Sequence, residues 1–466
     1  MNPDKHCDLL LTGGIVITMD DERRILDHGA VAVEDEQIIA VGTQDELVEY
    51  QAKRCIDCQG KLITPGFIDC HNHLFESLLR GVGEGMKLWI WLSQLLQPFG
   101  DKVTREEVVA AVTNCALEAI RNGTTCVIDN HYAPTDLDTI LAVADAIEST
   151  GLRGVVARGM YAHPTKISKS YGYDLERTFM YSVADEINIT REAIQARPPG
   201  SKVTIWPTPE CVSYNPQDLL IRAVELAHEF GTHWHTHLAE DDTEERQYQE
   251  SYGIGQVEWL HREGLLKDGT FAHSIWLEDK DVELLGETHA GVAHCPVSNQ
   301  YLATGIMRLR DLRAAGAVVG LGSDGSCCGN QDLILAMRTA VLLQRVNTLD
   351  PTVVTAKDAL EMATVEGAKH VGIEAGQLAP GKLADLVVIN LEAPQTKPFN
   401  NAIGTLVYNG RGSDVDMTII GGQVVYEDGR CTMVDEIAVM EEVQAKADEL
   451  FDRLGLEHLR THWQLT

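Results

Sequence analysis

The sequence predicts an α/β fold: a (β/α)8 TIM barrel with a small β-sandwich built from both ends of the chain. Three observations carry this reading. Between residues 65 and 375, eight short β-branched runs alternate with longer stretches whose apolar residues recur every three or four positions. The two ends of the chain share a pattern of apolar strand, Gly-Gly turn, apolar strand and acidic turn, in "CDLLLTGGIVITMDDE" and "VDMTIIGGQVVYEDGR". No Gly-rich phosphate fingerprint follows the first central strand, which argues against a doubly wound open sheet.

Residues 1–64 are read as the first part of the sandwich, with the alternating segment "AVAVEDEQIIAVG" at 30–42. The barrel occupies 65–375. Its eight strands are read at "GFIDCH" (66–71), "TTCVIDN" (124–130), "LRGVVARG" (152–159), "KVTIWPTP" (202–209), "GTHWHTH" (231–237), "TFAHSIW" (270–276), "GVAHCP" (291–296) and "VVGLGSD" (318–324). Helical periodicity marks the intervening segments, as in "TREEVVAAVTNCALEAIRNG". The chain returns to the sandwich over 376–433, where "KLADLVVINLE" adds a strand, and 434–466 is a helical tail. The segment "VDEIAVMEEVQAKADELFDRLG" in that tail is amphipathic and acidic, suited to packing on its own barrel or on a neighbouring subunit.

Composition narrows the function. The chain has 466 residues, 44% hydrophobic and 23% charged, enough for a large core. Its 70 acidic residues against 38 Lys plus Arg give a net charge of −32, which disfavours nucleic acid and anionic membranes as partners. No apolar run reaches the roughly 18 residues of a membrane span, and the first residues lack a signal-peptide pattern, so a cytoplasmic protein is expected. Eleven cysteines, an odd number unevenly spaced, do not read as a disulfide scaffold in that compartment. Cys55 and Cys58 form a CxxC, but no second CxxC completes a four-thiolate zinc site, and the pair lies in strand and turn rather than opening a helix.

Histidines gather where the predicted strands end. His71 and His73 close the first strand, His237 the fifth, His273 the sixth, and Asp324 the eighth. In a barrel those ends converge on one mouth, where active sites form. Residues i and i+2 share a strand face, so His71 and His73 can grip one ion together. Three imidazoles and a carboxylate suit a divalent metal that keeps a position open for water. Any one of these histidines alone would read as a hydrogen-bonded core side chain; their coincidence at the strand ends does not. His233 reads as core or as support behind the site, His235 as an outer partner, His294 as support from strand seven, and Asp69 as an anchor for the strand-one backbone.

The motifs "PGFIDCHNH", "HTHLAE", "HCPVSN", "GSDG" and "GQLAPGKLADLVVI" together resemble the amidohydrolase superfamily, in its branch of cyclic deaminases and triazine hydrolases. The resemblance spans essentially the whole chain. It implies one metal ion on His71, His73, His237 and Asp324, with Glu240 and His273 acting beside the bound water. It also implies a small heterocyclic substrate and a homo-oligomer. Zinc is the default ion for this donor set, although iron(II) accepts the same donors. "WPTPE" stands where a bridging lysine would support a binuclear centre.

Residue types then suggest a mechanism. Coordination lowers the pKa of water from about 15.7 to roughly 7–9. Asp324 can accept the proton that water loses, and His273 can orient the nucleophile. Glu240, three residues beyond His237, can protonate a ring nitrogen and later return the proton to the leaving group. Read alone, Glu240 is a helix N-terminal charge in "AEDDTEER". The expected reaction displaces an amino, alkylamino or chloro substituent from an electron-poor nitrogen heterocycle: an s-triazine, purine, pterin or pyrimidine. "VTIWPTP", "LVVINLEAPQTKP" and "VDMTIIGGQVV" lean towards the triazine enzymes. The alternative is an adenosine deaminase of the S-adenosylhomocysteine/methylthioadenosine type. A cyclic amide hydrolase and a non-catalytic metal-binding barrel are the remaining classes.

Candidate pocket residues lie on loops after the strands. They are Glu76, Trp89, Trp91, His131, Arg158 and Cys327, with His163 near the third strand. Either tryptophan could stack on a planar ring or belong to the core, His131 could touch substrate or cap a loop, and Arg158 could meet a substrate carboxylate or pair internally. The loop "GSCCGNQD" departs from the family, placing thiols of Cys327 and Cys328 where relatives carry small polar residues.

Overall fold

The computed structural model describes residues 5–170 and 180–460. The last six residues of the expected tail, 461–466, lie outside it, as do 1–4 and 171–179. Five strands open the chain: β1 (Lys5–Ile17), β2 (Ile25–Glu34), β3 (Gln37–Thr43), β4 (Tyr50–Asp57) and β5 (Lys61–Pro65). Nine follow in the central part: β6 (Phe67–His73), β7 (Thr124–His131), β8 (Arg153–Met160), β9 (Val203–Pro209), β10 (Trp234–Leu238), β11 (Gly269–His273), β12 (Gly291–His294), β13 (Val318–Leu321) and the short β14 (Asp324–Gly325). The chain closes with β15 (Leu386–Asn390), β16 (Val415–Ile420), β17 (Gln423–Glu427) and β18 (Arg430–Cys431).

The terminal strands form one sheet in the order β18-β17-β16-β15-β5-β1-β2-β3, with β4 beside β1. Its two contributions join where β15 runs antiparallel to β5, with Val388 opposite Ile63. Leu11, Val31, Ile63, Val388 and Ile419 share one buried cluster, so neither end of the chain holds a complete core without the other. Cys55 lies in β4 and is exposed, while Cys58 is buried just beyond it.

The central strands form a parallel sheet in the order β10-β11-β12-β13-β6-β7-β8-β9. Every residue of β6 and β7 is buried, as expected of parallel strands covered by helices. The barrel closes between β9 and β10, where the His237 N–H donates to the Glu210 carbonyl at 3.2 Å and the Val212 N–H donates to the His237 carbonyl at 3.3 Å. The eighth predicted run is divided into β13 and β14. Between them Ser323 donates its N–H to Asp69 Oδ1 at 3.0 Å, and the same oxygen accepts the His71 N–H at 3.3 Å. Asp69 therefore fastens β6 to the segment that carries Asp324.

Helix Arg105–Arg121 begins with a reciprocal cap between Thr104 and Glu107. Glu107 also receives Arg453 at 2.6 Å, which docks the terminal helix Glu436–Leu454 on this chain's own barrel. Arg153 on β8 pairs with buried Asp385 just before β15 at 2.9 Å, tying the barrel to the terminal sheet. Among the described residues, no helix is long and apolar enough to cross a membrane.

Candidate active site

Strand alternation aims His71 and His73 into the barrel mouth, and the β9–β10 closure fixes His237 beside them. Potential ligand atoms of His71, His73 and His237 lie within 4.8 Å of one another, as do those of His71, His273 and Asp324. Hydrogen bonds set which ring nitrogen is free. His73 Nδ1 lies 2.7 Å from the Asn130 carbonyl and His237 Nδ1 lies 2.7 Å from the Glu210 carbonyl. Carbonyls only accept, so both Nδ1 atoms carry hydrogen and both Nε2 atoms, the positions open to a metal, face inward. At His71 the tautomer is set through two partners. The Thr270 hydroxyl donates to the Trp234 carbonyl at 3.0 Å, so it accepts from His235 Nδ1 at 2.8 Å. His235 Nε2 then accepts from His71 Nδ1 at 2.9 Å, leaving His71 Nε2 unprotonated.

His71 Nε2 is buried with no hydrogen-bond partner, and it lies 3.4 Å from Asp324 Oδ1. His73 Nε2 approaches the same oxygen at 3.4 Å. Burial holds His71 neutral, lowering its pKa to about 3. At His73 burial opposes charge, but Glu76, Asp324 and Glu210 outweigh it and lift the imidazole to about 9. The surroundings favour a cation at this point. Three inward Nε2 atoms, the orphaned one of His71 among them, and one carboxylate oxygen offer four donors to a divalent metal, which would take water as a fifth ligand.

Asp324 keeps a positive φ of 64°, uncommon outside glycine, and donors hold its carboxyl on both sides. Gly325 N–H donates to Oδ1 at 2.8 Å, and the Ser298 hydroxyl donates to Oδ2. Burial opposes ionisation of Asp324, yet His273, His71 and His73 hold its carboxyl well below the usual range. His273 Nε2 faces Glu240 Oε2 at 3.7 Å and Asp324 Oδ2 at 3.8 Å, while its Nδ1 meets Asn299 Oδ1 at 2.9 Å. Burial raises the Glu240 carboxyl to about 7, despite the opposing pull of His273, so it can carry or release a proton near neutrality.

A cavity opens over this cluster. Glu240, His273 and Asp324 line its floor together with His73 and His237. Glu76, Trp89 and Trp91 line its wall. Cys327 is buried behind Glu76 and donates its thiol to Oε2 at 2.8 Å. His131 and Arg158 stand apart from this wall. His131 is fully buried, bonded to the Pro134 carbonyl at 3.1 Å and packed on Phe75. Arg158 takes the internal pairing, with Glu186 at 2.6 Å and Thr190 at 2.9 Å. His163 is exposed. His294 is buried with neither ring nitrogen bonded among the described residues, and His233 is half-buried against Trp206, with Nδ1 3.2 Å from the Asp268 carbonyl.

Sequence reasoning missed Ser298, Asn299, Glu210 and Tyr132. The first two follow "HCP" on one helix, Pro296–Tyr301, where Pro296 at the first turn starts the helix and turns their side chains towards the mouth. Glu210 ends "WPTPE"; its carbonyl orients His237 and its carboxyl enters the cavity. Tyr132 lines the cavity and donates to Glu76 Oε1 at 2.7 Å. Glu210 and Tyr132 directly follow the ends of β9 and β7, a position that signals a residue at the barrel mouth, whereas Ser298 and Asn299 lie beyond the end of β12 on a separate helix.

Comparison with known proteins gives a consistent picture. A sequence model of the amidohydrolase family matches residues 62–425. The chain is 32% identical to a 5-methylthioadenosine/S-adenosylhomocysteine deaminase of Pelotomaculum thermopropionicum, over 96% of this chain and 99% of that one. It is also 32% identical to a 5'-deoxyadenosine deaminase of Methanosarcina barkeri, with the same coverage. Among solved structures, an adenosine deaminase from Xanthomonas campestris with bound zinc superposes with a TM-score of 0.86 at 26% identity, covering 97% of this chain and all of that one. Atrazine chlorohydrolase from Arthrobacter aurescens, complexed with zinc, gives 0.87 at 24% identity over 94% of this chain and 100% of its own; that likeness shows the fold alone. With the match running from the last strand before the barrel to β17, the chain belongs to the amidohydrolase family.

Proposed function

We propose that this protein is a zinc-dependent aminohydrolase that replaces the exocyclic amino group of an adenosine-type nucleoside with a carbonyl oxygen, releasing ammonia. The observation that carries the reading is the Glu240 carboxyl, buried and poised near neutrality beside His273 and Asp324 at the edge of the imidazole cluster. The adenosine-type deaminases among the relatives support the purine over the triazine towards which the sequence leans. His71, His73, His237 and Asp324 would hold the metal, and the zinc named for the adenosine deaminase neighbour supports that ion over iron(II). A divalent ion held there supplies Lewis acidity and lowers the pKa of water.

The chain's own groups do the rest. Asp324 accepts a proton from the attacking water, with Ser298 and Gly325 each holding one of its oxygens in place. His273, fixed by Asn299, orients the nucleophile. Glu240 donates its proton to the ring nitrogen next to the amino-bearing carbon, which makes that carbon electrophilic. Water's oxygen bonds to the carbon; Asp324 passes the proton it took to the amine, which leaves as ammonia when the carbon–nitrogen bond breaks, and the new hydroxyl gives its proton back to Glu240 as the carbonyl forms. Ammonia release from 5'-deoxyadenosine and methylthioadenosine by zinc-loaded protein tests the reading. Release from amino-s-triazines with none from adenosines would overturn it.

A further inference from the structure

We infer that two copies of this chain pair through the outer face of helix Leu333–Thr348, running antiparallel about a two-fold axis. The helix buries Ile334, Met337 and Val341 in the barrel wall, yet three large apolar residues remain outside. Leu342 is 50% exposed, Val346 67%, and Leu349, just past the helix end, 88%. With half-buried Leu335 and Thr339 they recur at intervals of four, three, four and three residues. That spacing lays all five along one narrow stripe, the geometry of a helix–helix seam. A contiguous apolar strip on an otherwise charged surface marks a place of contact. The helix is capped by Asp332 at the mouth end of the barrel and runs away from it, so the most exposed seam residues lie towards the far end. Ser170 and Met180, in the connection after β8, and Arg453, on Glu107, are at the mouth end.

Charge decides what fits there. The chain carries a net −32, so two copies repel over most of their surface. Helix Leu333–Thr348 contains no Asp or Glu, and its two arginines turn inward: Arg338 donates to the Val407 carbonyl at 3.0 Å and Arg345 to the Val354 carbonyl at 3.0 Å. Other exposed apolar residues lie among charges. Trp276 and Ile306 share a groove with Glu245, Arg246 and Glu278, while Ile437 and Met440 share their helix with Glu436, Glu441 and Glu442. A basic partner would choose the acidic surface; an identical copy meets least repulsion at this uncharged seam. The stripe is also self-complementary. Antiparallel pairing centred on Leu342 sets that residue on its own copy, Thr339 against Val346, and Leu335 against Leu349, as an isologous contact requires.

A seam of five such residues is about 20 Å long. Alone it covers less than the roughly 800 Å² per partner of a standard interface, so a dissociation constant in the micromolar range is expected. Sedimentation velocity of the full chain from about 1 to about 100 µM should show a shift from monomer to dimer. Leu342→Glu should raise the dissociation constant about 100-fold or more, because the two-fold axis brings its two carboxylates together, with the melting temperature of the monomer unchanged. In a Cys55→Ser background, which removes an exposed thiol, Leu342→Cys should give a disulfide-linked dimer under oxidised glutathione and Ile437→Cys should not. Should Leu342→Glu fail to fold, the cysteine pair decides alone. A chain that stays monomeric throughout, an assembly that survives Leu342→Glu, or linkage at 437 in preference to 342 overturns the inference.

Discussion

Asp324 would perform two tasks with one carboxyl, and its two oxygens face different partners. Oδ1 faces His71 and His73 at 3.4 Å, while Oδ2 faces His273 at 3.8 Å and receives the Ser298 hydroxyl. Ser298→Ala should therefore lower kcat by about 10-fold with zinc content unchanged, the lower end of what an outer hydrogen bond at a metal site contributes. Steady-state kinetics with metal analysis checks it. Glu240→Gln should cost 100-fold or more in kcat, a typical contribution of a positioned proton donor. The pH dependence has a definite sign. A donor must hold its proton, so activity is full below its pKa and falls as pH rises through about 7, where burial places Glu240. The Gln variant should lack that falling limb in its kcat/KM profile. At this scale the clustering of the histidines is legible because strand alternation and strand-end position are local properties. Ser298 and Asn299 are not, because their partners lie 26 residues away in each case, and only the folded barrel brings them together.

Two short elements deliver much of the site. Helix Pro296–Tyr301 sends consecutive residues to different partners, Ser298 to Asp324 and Asn299 to His273, so one rigid turn aligns both groups. The sequence reading continues strand seven to residue 296, whereas β12 ends at His294 and the helix begins at Pro296. The dipeptide β14 pairs with β6, placing Gly325 opposite His73. Gly325→Ala would drive a methyl group into Glu76 Oε2, so KM should rise with little loss of bound zinc; substrate saturation curves and metal analysis separate the two effects. "VVGLGSD" looks continuous because its apolar pattern is continuous. The Asp69–Ser323 bond that interrupts it joins residues 254 apart, beyond the reach of any periodicity.

The whole molecule is held by contacts between distant stretches of chain. A metal clasped by β6, β10 and β14 would bind only the folded form, so zinc in thousandfold excess over its Kd should add about 4 kcal/mol to stability. Thermal melts with and without a chelator measure it. The Arg153–Asp385 pair joins barrel and terminal sheet with Asp385 buried. Arg153→Leu should destabilise the protein by about 3 kcal/mol, since it strands a carboxylate that also holds the Gly421 N–H at 2.6 Å; urea unfolding would show it. The architecture was legible at this scale because strand number and the likeness of the two termini are countable, whereas the salt link depends on packing alone. The shared terminal sheet has a consequence for biosynthesis. A ribosome makes β5 long before β15, so the nascent chain carries an exposed, unmated strand edge throughout synthesis of the barrel. Maturation is then completed only after release of the last strands, and the growing polypeptide needs shielding until that late partner arrives.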